Sequence, residues 1–329
     1  MKEHPAKEPL AVLAIVGPTA SGKSDLAVAV AREVGRRKLG GYSGAEIVSA
    51  DSRQVYRGLD IGTGKVTRSE MRGIRHHLLD VADPRRAFTA EKYRRLALKA
   101  IAGIAARGNL PIVCGGTGFY IDALFSDGLP AAAPDPKLRA RLSGKPPEEL
   151  LALLKRADRA RWETISANPS DCKNPRRIIR AIEVASAGKR TTRPPHERSD
   201  GQTYSVSYIG IRLPKEALAQ RIHDRLAARL RRGMVAEVRR LHEHGLSWKR
   251  MDELGLEYRY LSRYLRGLTM KGAMAATLET GIRRYAKRQM TWFMRDPRIT
   301  WLSRAATGRD LTKLIKSTII LPNRRDHLL

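Results

Sequence analysis

The chain is short of cysteine, of long apolar runs and of acidic residues, and each shortage closes a class of function. Two cysteines in 329 residues, Cys114 and Cys172, are too few for a disulfide framework and match no metal-ligand spacing, so neither a disulfide nor zinc is expected and a reducing cytosol is the simplest setting. No apolar run approaches the ~18 residues of a membrane span. The run Leu10–Val16 leads into a glycine-containing loop instead of a cleavage site, which argues against secretion. Aspartate and glutamate number 33 against 63 lysines and arginines, a formal net charge of +30. That excess points to a polyanionic partner or to an arginine-rich coding background, and only the positions of the charges decide between them. Hydrophobic residues make up 42% of the chain, enough for one large α/β domain and a smaller one.

Against these absences stands Gly17-Pro18-Thr19-Ala20-Ser21-Gly22-Lys23-Ser24, which has the full spacing of a phosphate-binding loop. It sits between an apolar run that reads as a strand and Asp25–Val34, which reads as a helix, the setting the motif requires. Gly17 and Gly22 let the backbone turn its N–H groups inward, the following helix adds its positive end, and Lys23 brings a charge to phosphate oxygens. Ser24 is placed to coordinate Mg²⁺. Nucleotide and non-nucleotide diphosphates present the same oxygens, so the loop alone does not name its ligand.

Further along, Glu46–Ala50 forms a short strand that ends at Asp51, and Leu110–Cys114 another that ends at Gly115-Gly116. Between them a helix runs from an N-cap at Thr89 to Gly108, with Tyr93, Ala97, Ile101 and Ile104 on its buried side. Strands alternating with helices give a parallel sheet, and ligands of such sheets bind at the carboxyl ends of the strands. Residues 17–24, Asp51 and 115–117 therefore share one rim. From 129 to 203 no strand is convincing, and prolines separate arginine-rich helices, so an inserted helical domain is expected there between a first core segment (1–128) and its completion (204–329). In that insert Asn174 caps a helix with Pro175 at its first position, Ile178, Ile179 and Ile182 inward and Arg176, Arg177 and Arg180 outward. The polar stretch from Lys189 to Gly201 reads as a mobile connection. Tyr204–Ile211 returns as a strand, followed by a helix with Arg221, Arg225 and Arg229 beside its buried stripe. A later helix, 273–294, has Met274, Leu278, Ile282, Tyr285 and Trp292 on its core side.

Asp51 can take a proton from a nucleophile aimed at the bound phosphate compound, or can simply cap its own turn. Thr117 can touch a substrate or cap the helix that follows it. Arg221 and Arg225 can clamp a diphosphate or form a solvated helix face, and Arg139 with Arg176, Arg177 and Arg180 can hold nucleic-acid phosphates or do no more than face solvent. His76 and His77 read as loop histidines. The strand ending at Cys114 carries no Asp to hold Mg²⁺, which argues against a motor-type ATPase.

Together, residues 17–24, Ile47–Tyr56, Asp60–Lys65, Gly115–Tyr120, Asn174–Arg177 with Arg180–Glu183, and Lys287–Gln289 with Thr291-Trp292 closely resemble the tRNA dimethylallyltransferases, also called isopentenyl-diphosphate:tRNA transferases, from Leu10 to Arg295. The resemblance implies a P-loop-type parallel sheet with a helical insertion. It implies transfer of a dimethylallyl group from its diphosphate to the exocyclic amine of the adenine 3′-adjacent to the tRNA anticodon, in a loop that resembles an ATP site but holds the prenyl diphosphate. It makes Asp51 the general base beside Thr117, gives residues 17–24 with Mg²⁺ the diphosphate, assisted by Arg221 or Arg225, and places Asp51, Ser52, Arg53, Gln54, Thr117, Arg139, Arg176, Arg177, Ile178, Ile179 and Arg180 where the family meets tRNA. The segment Glu253–Tyr258 departs from the Gly-Tyr pairing of many members. No Cys or His cluster follows Met294, so the bacterial form fits better than the zinc-finger form. Two rivals are a small-molecule kinase of the shikimate-kinase type, which lacks the arginine-rich insert, and an RNA-binding ATPase, which leaves Asp51 without a task.

Overall fold

The computed structural model describes residues 9–125, 132, 134–169, 171–188, 203–303 and 308–320. The segments 129–131 and 189–201, expected as the start of the insert and as its mobile connection, lie outside these residues, as does Leu321. The first half of the larger unit runs β1 (Leu10–Val16), α1 (Lys23–Arg37), β2 (Gly44–Ser49), α2 (Arg68–Met71), β3 (His76–His77), α3 (Ala90–Ala106), β4 (Asn109–Gly115) and α4 (Gly118–Phe125). Four helices follow, α5 (Pro136–Leu142), α6 (Pro147–Ala157), α7 (Arg159–Ser166) and α8 (Pro175–Ser186). The chain then completes the sheet with β5 (Tyr204–Ile211), adds α9 (Lys215–Arg231), α10 (Met234–Glu243), α11 (Trp248–Leu254), α12 (Leu256–Leu265) and α13 (Lys271–Phe293), and ends with β6 (Ile299–Leu302) and α14 (Gly308–Ile315). It divides into two compact units, one of residues 1–125 with 202–329 and one of residues 126–201.

The sheet is six-stranded and wholly parallel, in the order β3-β2-β4-β1-β5-β6. Its centre is apolar on both faces, because helices cover both: Leu13, Ile15, Ile47 and Ile112 pack under α1, and Val12, Ala14, Val48 and Val113 pack against Tyr93, Ala97 and Ile101 of α3. The α3 cap is as its sequence dictates, with the Thr89 hydroxyl accepting from the Lys92 N–H at 3.2 Å. The α9–α13 helices close around a separate core that includes Ile222, Leu226, Val238, Tyr258, Leu278 and Ile282. Among the described residues no helix is long and apolar enough to cross a membrane.

Two strands escape sequence reading. The histidines at 76 and 77 form a two-residue edge strand rather than a loop, and His77 Nε2 lies 2.7 Å from Glu46 Oε2. Burial would raise the pKa of Glu46, but hydrogen bonds from Arg107, His77 and Asn109 hold it at about 2. The second strand, β6, is four residues long and pairs with β5 from Tyr208–Ile299 to Ile211–Leu302.

In the smaller unit, Leu138, Leu142, Leu150, Leu154, Ile178 and Ile182 form the core. Asn174 caps α8 by accepting from the Arg176 N–H at 3.2 Å. The carboxylate of Glu183, with no side-chain exposure, organises the unit. It accepts from Arg139 Nε and Nη2 at 2.6 and 2.9 Å, from Arg180 Nη1 at 3.1 Å and from the Asp135 N–H at 2.9 Å. Arg180 also donates to the Ala132 carbonyl at 2.7 Å. The expected free arginine face is therefore smaller than its sequence suggests: Arg139 and Arg180 neutralise a buried acid, and Arg177 pairs with Asp171. Ile178 is fully buried, which removes it from any RNA surface, and Ile179 is half-buried.

Candidate active site

At the carboxyl ends of β1, β2 and β4 the larger unit opens into a cavity of about 400 Å³, lined by the phosphate loop, Asp51–Gln54, Gly115, Arg225, Arg229, residues 254–257, Tyr285, Arg288 and Gln289. The loop is shaped for an anion. Gly22 takes φ 91° and stands as the N-cap of α1, a conformation open to glycine, and Ala20 is held at φ 64°. Ser21 Oγ is buried behind the loop, beside Gly17, without a hydrogen-bond partner among the described residues. The Lys23 ammonium donates to the Pro18 carbonyl at 3.1 Å. Burial lowers its pKa, opposed by Cys114 and Asp51 and assisted by Arg225.

Basic side chains from α9 complete the anion site. Arg221 Nη1 reaches the Ser21 carbonyl at 3.4 Å. Arg225 makes no hydrogen bond or ion pair among the described residues. Its pKa is lowered first by burial and then by Arg229. Arg229, by contrast, is spent on structure: it donates to the Gly62 carbonyl at 2.7 Å and to Glu257 at 3.0 Å.

The nucleophile side of the cavity is built by the turn after β2 and the glycine pair after β4. Asp51 Oδ1 accepts from the Arg53 and Gln54 N–H groups at 2.8 and 3.3 Å, so the turn-capping role is real. Its other oxygen takes no hydrogen bond among the described residues and remains available to a substrate. The turn thus engages one oxygen of Asp51 and leaves the other for the proton-accepting role expected of it. Thr117 Oγ1 accepts from the Ser52 N–H at 3.1 Å, while the Thr117 carbonyl caps α4 by accepting from the Tyr120 N–H at 2.8 Å. The hydroxyl is consequently not a helix cap and ties the two rim turns together. Gly115 permits this closeness, because a Cβ there would overlap the backbone of Ala50.

Several residues that hold this geometry were not among the expected site residues. Glu237, buried on α10, accepts from three consecutive N–H groups of the 60–65 loop, Asp60 at 3.0 Å, Ile61 at 2.5 Å and Gly62 at 2.9 Å, and from the Tyr258 hydroxyl at 3.0 Å. Tyr258 ends the Glu253–Tyr258 segment, whose task is now visible: it supports that loop from below. Tyr285, expected in the core, instead lines the cavity; burial and the Asp51 charge push its phenol up to about 12. Gln289 bridges the phosphate loop and the glycine pair, accepting from the Thr19 N–H at 2.8 Å and donating to the Gly116 carbonyl at 2.8 Å. Trp292 Nε1 donates to Asp122 at 3.0 Å.

Compared with known proteins, this chain matches the sequence model of the family described as IPP transferase over residues 54–296. The chain belongs to the IPP transferase family. Relatives of this transferase include a tRNA dimethylallyltransferase 2 from Trichlorobacter lovleyi, 40% identical over 302 residues that span 89% of this chain and 92% of that protein. A tRNA dimethylallyltransferase from Desulforudis audaxviator is likewise 40% identical, over 89% of this chain and 92% of the other. The crystal structure of the full-length tRNA isopentenylpyrophosphate transferase from Bacillus halodurans superposes with a TM-score of 0.67 at 31% identity, covering 95% of this chain and 97% of that one. The six-stranded parallel sheet of this IPP transferase is thus a P-loop fold. Of the expected site residues, the larger unit gathers Thr19, Ala20, Gly22, Lys23, Ser24, Asp51–Gln54 and Arg225 around one cavity, with Arg221 and Thr117 held against them.

Proposed function

We propose that this IPP transferase moves a dimethylallyl group from dimethylallyl diphosphate to the N6 amine of the adenine 3′-adjacent to the anticodon of tRNA. The observation that carries the reading is the single cavity that brings Lys23 and Arg225, paired with no carboxylate among the described residues, beside a carboxylate with one oxygen uncommitted. Family membership and the tRNA-directed names of the relatives support the substrate class. In the reaction the allylic C–O bond breaks, the adenine nitrogen forms the new C–N bond, diphosphate leaves, and Asp51 takes the proton that the amine gives up. Backbone N–H groups of Ala20 and of residues 22–24, with Lys23 and Arg225, stabilise charge that grows on the leaving oxygens. The Ser52 N–H holds the Thr117 hydroxyl at the rim beside Asp51.

The donor set suits Mg²⁺ held jointly by protein and phosphate. Ser24 offers an exposed hydroxyl at the cavity wall, whereas no cluster of three or more His, Cys, Asp or Glu stands together among the described residues. A magnesium ion there would take Ser24, phosphate oxygens and water, and would neutralise charge on the diphosphate. The basic insert then grips the RNA backbone with Arg176 and with whatever Arg139, Arg177 and Arg180 leave unpaired. The target base must leave its stack to reach the cavity, and backbone contacts on either side steady the loop while it does.

Incubation with labelled dimethylallyl diphosphate and unmodified tRNA tests the whole reading. Label should appear on a single adenosine of the tRNA, and ATP should compete poorly. Hydrolysis of ATP, or transfer of its γ-phosphate to a small molecule, would instead establish the kinase chemistry.

A further inference from the structure

We infer that Gln289 is a positioning residue that fixes the distance between the leaving group and the nucleophile, by locking the diphosphate loop to the glycine rim; this rests on the function proposed above. The two hydrogen bonds of one side-chain amide carry it. The amide oxygen accepts from the Thr19 N–H in the phosphate loop, and the nitrogen donates to the carbonyl of Gly116, both at 2.8 Å. Each end of the amide has a partner of the opposite kind, so the orientation of the group is determined and no flip satisfies both. The side chain is buried, at 7% exposure. In that setting an unpaired Thr19 N–H or Gly116 carbonyl would lose its hydration without compensation, which makes the bridge the stable arrangement.

The bridge joins parts that the sheet alone does not couple firmly. The phosphate loop follows β1, and the glycine rim follows its neighbour β4; strand pairing ends at Val16–Gly115, before either loop begins its work. Gln289 spans the gap from a third element, α13. Gly116 has no side chain because one would strike the Gln289 amide, so the close approach is built from both sides. Tyr285, four residues earlier on the same helix, lines the cavity, and Trp292, three residues later, bonds Asp122 on α4. Consecutive turns of one helix therefore reach the cavity, the glycine rim and α4, and Gln289 is the residue among them whose hydrogen bonds also include the phosphate loop. A second consequence concerns the ligand. The Thr19 N–H is already taken, so the diphosphate is left with donors from Ala20 onward.

The test uses Gln289→Glu and Gln289→Met in the full chain, with prenyl transfer to tRNA measured between about pH 5.5 and 8. An ionised glutamate keeps the acceptor for Thr19 but loses the donor to Gly116. A protonated one restores both. The ratio of native to Gln289→Glu kcat should therefore be about 10 to 100 near pH 8 and shrink several-fold as the pH falls. Gln289→Met keeps the volume without either bond, and its ratio should stay large and flat with pH. Thermal unfolding of both variants within a few degrees of native, and tRNA affinity within about threefold, are also expected. A pH-independent ratio for Gln289→Glu, or native kcat in either variant, would overturn the inference. Absence of transfer by the native protein would instead overturn the proposed function, so the two failures are distinguishable.

Discussion

The cavity of the larger unit and the helical insert are both rich in arginine, yet they use it oppositely. Around the cavity Lys23, Arg53, Arg225 and Arg288 pair with no carboxylate among the described residues. In the insert Arg139 and Arg180 converge on Glu183, and Arg177 pairs with Asp171. A net charge counts both groups alike. What a ligand can use is the charge that the fold leaves uncompensated, because a paired guanidinium must first give up its partner.

The largest test of this contrast removes the cavity's own acid. Asp51→Ala should lower turnover by roughly 10² to 10⁴, the range for a lost general base, while tRNA affinity stays within a few-fold. Single-turnover kinetics with filter binding checks it, and near-normal turnover would take Asp51 out of the chemistry. On the insert side, Glu183→Ala should destabilise that unit by about 2 kcal/mol, since it strands the Asp135 N–H and two guanidiniums and leaves a void. Urea unfolding followed by Trp162 fluorescence reports it, and an unchanged midpoint would mean that Glu183 does not organise the insert. Next comes Arg225→Ala, which should weaken inorganic pyrophosphate binding by about 10- to 100-fold without altering tRNA affinity, as read by calorimetry. Equal losses for Arg229→Ala would erase the distinction between free and committed cations. The smallest effect is on salt dependence. Arg176→Ala should flatten the slope of log tRNA affinity against log salt by roughly 0.7–0.9, whereas Arg180→Ala, whose guanidinium is held by Glu183 and the Ala132 carbonyl, should change the slope less.

Much of the fold and of the cavity is legible in the amino-acid sequence. The phosphate loop, β1, β2, β4, β5 and the caps of α3 and α8 follow from local chemistry: apolar runs, a glycine that can turn, a threonine or asparagine where N–H groups need an acceptor. Asp51 is legible because parallel sheets bring strand ends together. What escapes depends on partners distant in sequence. A two-residue strand such as β3 has no period to detect, and β6 is four residues between polar stretches. Glu237 looks like any helix-surface glutamate until the 60–65 loop folds over it. Tyr285 fits the apolar stripe of α13, and a stripe does not say whether its neighbour is a core or a cavity. Arg180 reads as outward-facing by helical spacing, but the acid that claims it lies three residues along its own helix and is held in place by bonds from Arg139 on α5 and from the Asp135 N–H.

The bond between Thr19 and Gln289 spans 270 positions, and that separation has a meaning in time. Ribosomes extend a chain at ~5–20 residues per second, so the phosphate loop leaves the ribosome roughly 10–50 s before the helix that braces it. For the first part of that interval β1 also waits for β5, its partner in the middle of the sheet. A nascent chain thus displays an anion-binding loop long before it can act on anything, and catalytic competence arrives only with its last hundred residues. Chains that stall before α13 should be recognised by the cell as unfinished, with unpaired strand edges exposed, rather than persist as partly active enzyme.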